Sequence, residues 1–181
     1  MCNRFTSKLH VAQIRDLMTS EVIVFPEAVG WSAREDVRPS TETLTIWERD
    51  GALVLGTSFW GFPKLPQMGK GLVINARSER VATSPFWRET IRCWLPATSW
   101  IEYEAINGRN VLREVALPNG APFLIAGVCG MREGRRCMAM CMQDAPMQLA
   151  YLCDRLPLPY AFSAIGMHEP RQIIEDMVVN Q

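Results

Sequence analysis

The chain is predicted to fold as a single α+β domain built on a curved, barrel-like antiparallel sheet with short flanking helices. Three observations predict it: a hairpin signal at Asp50-Gly51, a succession of short β-rich runs separated by turn residues, and helical patterns that are few and brief.

In chain order, Leu9 to Met18 carries Leu9, Ile14, Leu17 and Met18 at spacings that share one face, which predicts an early helix. The apolar runs Leu44 to Trp47 and Ala52 to Leu55 flank Asp50-Gly51, and a type I′ turn needs positive φ at both central residues, so two paired strands are expected. Gly71 to Ala76 reads as a further strand. Ser84-Pro85 before Phe86 to Ile91 reads as the cap and first position of a second helix. Strands then follow over Cys93 to Tyr103, Val111 to Val115, Phe123 to Cys129 and Cys137 to Met142, punctuated by Asn107-Gly108 and Pro118-Asn119-Gly120. Glu169-Pro170 opens a last predicted helix, with Ile173, Ile174, Met177 and Val178 on one face.

At 181 residues, 48% hydrophobic and 21% charged, the chain is long enough for a sizeable core and short enough for one domain. Met1 to Lys8 is polar and basic with no apolar run behind it, and no segment approaches the roughly 20 apolar residues of a membrane span. The expectation is therefore a soluble, cytoplasmic monomer that engages no membrane, and its six irregularly spaced cysteines should be reduced thiols. A formal net charge of zero argues against coating duplex DNA, an affinity that comes from releasing counterions around many phosphates. A confined basic groove is still allowed, and the preference for Arg over Lys suits bidentate phosphate contact as well as ordinary solvated surface.

The opening Met1-Cys2 carries the sharpest chemistry. The side chain at position two is small enough for an initiator methionine to be removed, which makes cysteine the amino terminus. Such a residue holds a thiol and an amine on adjacent carbons, with reference pKa values of about 8.5 and about 7.7–8.0. An aldehyde condenses with the amine, and the sulfur then closes a five-membered thiazolidine. An opened abasic sugar is such an aldehyde. A cysteine at position two is also an ordinary core residue, so its company decides the reading.

Met1-Cys2-Asn3-Arg4-Phe5 resembles the Met-Cys-Gly-Arg-Phe opening of the SOS response-associated peptidase (SRAP) family. Trp60-Gly61-Phe62-Pro63 looks like that family's Trp-Gly-Leu-Ile-Pro, and Ile74-Asn75-Ala76-Arg77-Ser78-Glu79 like its Ile-Asn-Ala-Arg-Ala-Glu. Cys93 to Ala97 followed by Glu102-Tyr103 resembles Cys-Leu-Val-Pro-Ala with a downstream Tyr-Glu-Trp, and a looser likeness covers Ala126-Gly127 and Asp154 to Pro157. The resemblance runs in order from the first residue to about Pro159. It implies a protein that bonds abasic sites in single-stranded DNA through its amino-terminal cysteine.

Carried over position by position, the resemblance implies that Cys2 is the nucleophile and Glu102 the acid/base, with Asn75 close to the terminal cysteine and Arg77 gripping phosphate. Asn75 and Arg77 flank Ala76 on a presumed strand, so both can face one groove. Arg4 is a further phosphate candidate. Trp60 could stack on an exposed base, although an aromatic residue in a strand suits a core equally well. Where the family carries histidine in Ile-His-Asp-Arg-Met-Pro, this chain has Cys153, a poorer acid/base near neutrality.

Cys137-Met138-Ala139-Met140-Cys141-Met142 invites a soft-metal reading, but strict alternation puts the cysteines on the opposite face from the methionines, as fillers of a buried strand. No metal and no cofactor is expected, and neither His10 nor His168 is given a catalytic role. Three functions stand: an abasic-site crosslinker, a weakened relative that binds single-stranded DNA without bonding to it, and a thiol peptidase limited to processing its own amino terminus.

Overall fold

The computed structural model describes residues 2–165 and 172–180. In chain order the strands are β1 (Phe5–Ser7), β2 (Val22–Val24), β3 (Arg34–Val37), β4 (Glu42–Arg49), β5 (Ala52–Trp60), β6 (Phe62–Pro63), β7 (Leu72–Val73), β8 (Asn75–Arg77), β9 (Ile91–Ala97), β10 (Ser99–Ile106), β11 (Arg109–Ala116), β12 (Phe123–Arg132), β13 (Arg135–Asp144), β14 (Arg155–Pro157), β15 (Pro159–Tyr160) and β16 (Val178–Asn180). Two short α-helices, α1 (Val11–Leu17) and α2 (Ser78–Val81), accompany them. None of the described helices is long and apolar enough to cross a membrane.

Five strands form one sheet in the order β16-β11-β10-β1-β3, and nine form the other along β14-β13-β12-β9-β4-β5-β2, with β15 and β8 attached at its side. A short parallel contact, Cys137 to Phe59 and Met138 to Trp60, brings β13 against β5 and bends the larger sheet into a ring. It is a ring-like curved sheet rather than a closed barrel, since that contact is only two residue pairs long. The pairing is mostly antiparallel as predicted, but β2–β5, β13–β5 and β13–β8 run parallel.

Tight turns set the registers. Asp50 and Gly51 adopt φ of 53° and 79°, and Asn107 and Gly108 adopt 51° and 75°, the left-handed pairs a two-residue hairpin turn requires. The β4–β5 and β10–β11 hairpins are therefore in full register to their ends. A third such turn at Glu133-Gly134 joins β12 to β13, with a glutamate where Asn or Asp is usual.

Helical expectations fare unevenly. The first helix is present as α1, its entry closed by the Gln13 side chain accepting from the His10 backbone N–H at 2.9 Å. Ser84-Pro85 starts only a single 3-10 turn, Pro85–Trp87, because Phe86 and Trp87 turn inward onto Phe62 and the chain must be extended by Ile91. The last predicted helix is corrected over the residues described. Ile174–Asp176 is one 3-10 turn, and Val178–Asn180 is a strand whose backbone completes the edge of β11; the Glu169-Pro170 start and His168 lie outside the described residues. The predicted strand at Gly71 to Ala76 is split into β7 and β8 at Ile74, whose carbonyl accepts from both Trp60 Nε1 and Met140 N.

Two apolar clusters fill the two faces of the curved sheet. Cys137, Ala139 and Cys141 join the one containing Leu44, Ile46 and Phe62, while Met138, Met140 and Met142 join the one containing Cys2, Phe5, Trp60 and Trp100. The alternation read from sequence thus holds, with these sulfurs as core filling on opposite faces. All six cysteines are unpaired.

Candidate active site

Hydrogen bonding of the opening segment to β10 positions the site. Ile101 N donates to Arg4 O at 3.0 Å, Phe5 pairs with Trp100, and the Cys2 thiol donates to Arg4 O at 3.4 Å. Cys2 has no solvent exposure. From the other sheet, β8 aligns Asn75 with Met140 of β13, and the Asn75 amide Nδ2 donates to the Cys2 carbonyl at 2.8 Å. One side chain thereby ties the opening segment to the larger sheet.

Glu102, on β10, is 2% exposed. Burial pushes its carboxyl up to about 7, with hydrogen bonds from the Cys153 and Cys2 thiols pulling it partly back. Burial, and then the Glu102 charge, raises the Cys2 thiol well above its ordinary value, and the same two causes carry Cys153 up to about 11. Cys153 lies before β14, half-buried, its thiol donating to Arg155 O at 2.7 Å. Cys2, Glu102 and Cys153 therefore act on one another, and Asn75 holds the first of them. Asn75 Oδ1 and Glu102 Oε1 are buried without a hydrogen-bond partner among the described residues. Buried polar atoms are seldom left so, and two on residues that both contact Cys2 mark a place where a polar ligand would be satisfied.

Arg77 is exposed, Ala76 buried and Asn75 half-buried, so Asn75 and Arg77 share the side of β8 away from Ala76, as the alternation predicts. Arg4 is not a free cation: its Nε lies 2.7 Å from Asp36, which also pairs with Arg38. Trp60 is corrected outright. It has no exposed surface, packs on Phe5 at 5.4 Å between ring centroids and donates its Nε1–H to Ile74 O, leaving no face on which a base could stack. Its neighbour Phe62 is equally buried, and the Phe59 ring is covered by the Arg135 guanidinium at 3.6 Å.

Arg155, which in the sequence is one letter of a motif with no role of its own, joins two segments of the site. Its guanidinium meets Glu79 of α2 at 2.9 and 3.2 Å and Asp144 of β13 at 3.1 Å, so the helix following Asn75 and Arg77 is fastened to the segment carrying Cys153. Among the described residues no group of three His, Cys, Asp or Glu side chains is arranged to hold a metal ion.

The sequence model of the SOS response associated peptidase (SRAP) family matches residues 1–164. The abasic site processing protein YedK of Escherichia coli K12 is 29% identical over 136 residues, covering 71% of this chain. The chain spans 59% of the length of that relative. Among solved structures, a protein from Bordetella bronchiseptica superposes with a TM-score of 0.75 at 17% identity over 98% of both chains. A phage-related protein from the same organism gives 0.69 at 22% identity over 89% of this chain and 78% of its own. A protein from Bacteroides thetaiotaomicron gives 0.72 at 14% identity, over 98% of this chain and 90% of its own. At such identities these structures speak for the fold alone.

Proposed function

The chain belongs to the SOS response associated peptidase family, and from that premise we propose that it processes abasic sites in single-stranded DNA by forming a thiazolidine with Cys2. One observation carries the reading: Cys2 is buried beside Glu102, with its carbonyl held by Asn75 at 2.8 Å. The similarity to a protein named for abasic site processing supports it.

With Met1 removed, the Cys2 amine adds to the C1′ aldehyde of the opened sugar. The resulting carbinolamine loses water to give an imine, and the S–H then adds across the C=N bond, sulfur to carbon and proton to nitrogen. One water leaves overall. Glu102 is the group to move these protons, donating to the departing hydroxyl and accepting from the thiol. A carboxyl near 7 is present in both forms at neutral pH, which either role alone would not require. Asn75 restrains the reacting residue, and its unpartnered Oδ1 is available to a sugar hydroxyl. Arg77, exposed on the same side of β8, binds phosphate. Arg4 reaches phosphate only by leaving Asp36.

A second reading, single-strand binding without a bond, is favoured by the burial that keeps the Cys2 thiol protonated. Mass spectrometry of the protein with a single-stranded oligonucleotide bearing one abasic site separates the two. The crosslinker gives a covalent species equal to the sum of the masses less one water, absent in Cys2→Ala and carrying no Met1. Unmodified protein and DNA, with binding retained, would establish the second reading.

A further inference from the structure

Glu102 and Glu104 project from the same side of β10, and the hairpin register puts Arg113 of β11 directly opposite Glu102 and Val111 opposite Glu104. Side chains facing each other across an antiparallel pair start about 4.5–5.5 Å apart at Cβ, and long side chains also reach the diagonal position. Arg113 takes the diagonal. Its Nε donates to Glu104 Oε2 at 2.6 Å, in a pair whose side chains are only 19% and 23% exposed. On the opposite flank of β10, Arg4 lies across from Ile101 and so projects from the other face of the sheet, where Asp36 engages it at 2.7 Å. The arginine opposite the buried acid is thus held by another carboxylate, and among the described residues no arginine is among the groups that act on Glu102. Those groups are the Cys153 and Cys2 thiols, while β8 contributes the uncharged Asn75.

Resting on the reading of Glu102 as acid/base, we infer that Glu104 is a positioning residue for the site: by holding Arg113 it keeps a guanidinium off the Glu102 carboxyl and leaves that carboxyl free to give and take a proton. An arginine bonded to Glu102 would fix it as a carboxylate and end its use as an acid. Glu104 and Arg113 touch no reacting atom in this scheme. They act through Glu102, by deciding which of two glutamates on one strand face receives the only arginine opposite them.

The test is a carbon-13 NMR titration of the Glu102 carboxyl in full-length protein without DNA, its signal assigned by its loss in Glu102→Gln. Wild type is compared with Glu104→Gln and with Glu104→Gln/Arg113→Gln, which carries no stranded charge. In Glu104→Gln the released Arg113 turns to Glu102, and the midpoint falls by about 1–3 pH units, the range a neighbouring arginine produces. In the double variant the midpoint returns towards wild type, and the limb of the crosslinking pH profile that belongs to Glu102 moves with it. An unchanged midpoint in Glu104→Gln overturns the inference. So does a fall that persists in the double variant, which would assign the effect to the charge of Glu104 itself. The titration needs no DNA, so absence of crosslinking in every variant would count against the proposed function and leave this result standing.

Discussion

The Asn75 carboxamide donates to the Cys2 carbonyl at 2.8 Å while its own Oδ1 has no partner among the described residues. The contact joins residues 73 apart in sequence and fixes the segment that places Cys2 beside Glu102. Losing one such bond costs about 0.5–1.5 kcal/mol of stability, whereas a misplacement of about 1 Å at a reacting group can cost on the order of 100-fold in rate. Asn75→Ala is expected to remain folded and to crosslink abasic DNA on the order of 100-fold more slowly. Thermal unfolding and single-turnover gel assays read the two effects separately, and a variant with unimpaired rate would remove Asn75 from the mechanism.

Glu102 should also leave a mark on stability. Its folded value of about 7 stands above its ordinary value near 4.5, so between those limits the folded state binds the extra proton. Stability contributed by that proton is present at acid pH and is lost as pH rises through about 7. Each pH unit of difference is worth about 1.36 kcal/mol, which puts the whole effect at roughly 3–4 kcal/mol at most. Glu102→Gln is expected to lose this decline and to be the more stable protein at pH 8. Denaturant titrations of both proteins at pH 5 and pH 8 check it, and parallel pH dependences would show that Glu102 is not buried as an acid.

Much of this architecture was readable before any coordinates. Asn107-Gly108 announces a two-residue turn, and a turn of that length fixes Glu102 opposite Arg113 by counting outward from it. Alternation likewise separated Ala76 from Asn75 and Arg77. What sequence could not show was competition for one partner. Nothing in the spacing says that Arg113 chooses Glu104, that Asp36 engages Arg4, or that the Trp60 indole spends its N–H on Ile74. The end of the chain misled for a related reason: Ile173, Ile174, Met177 and Val178 have helical spacing, but the open edge of β11 offers Val178–Asn180 backbone partners. Tertiary hydrogen bonding outweighed local periodicity there.

Trp60 separates a structural role from a DNA-binding one. It is fully buried and hydrogen-bonded, so Trp60→Ala should cost about 3–5 kcal/mol. Trp60→Phe keeps most of the ring volume and loses only the indole bond, so its affinity for single-stranded DNA should equal that of wild type. Fluorescence anisotropy with a labelled oligonucleotide measures this. A selective loss of affinity in stable Trp60→Phe would return the residue to the DNA interface.

Arg77 is the residue proposed to bind phosphate, being exposed on the side of β8 that carries Asn75. Replacing one phosphate-bound arginine removes about one released counterion, so the slope of log affinity against log salt should become shallower by about 0.7 on a single strand. Arg77→Ala is therefore expected to bind abasic and intact oligonucleotides more weakly to the same degree, with a lower salt slope. An unchanged slope would place the phosphate path elsewhere.

Cys153 stands where the family motif carries histidine, and its surroundings make the substitution costly for proton transfer. Burial and the facing Glu102 raise its thiol to about 11, so near neutrality it stays protonated and cannot accept a proton. Imidazole at the same position would have a value near neutrality and could work as both acid and base. The position is half-buried and its thiol donates to the Arg155 carbonyl, a partner an imidazole N–H could also serve. Positioned acid/base groups contribute about 10²–10⁴-fold, and in the proposed mechanism Glu102 already supplies part of that. Cys153→His should therefore accelerate adduct formation, adduct release, or both by about tenfold or more, and the gain should disappear in Cys153→His/Glu102→Gln if the two groups share the proton. Time courses of crosslinking, and of transfer of the DNA to excess competitor, measure the two steps. Equal rates in wild type and Cys153→His would mean that Glu102 moves every proton the reaction needs without help from position 153.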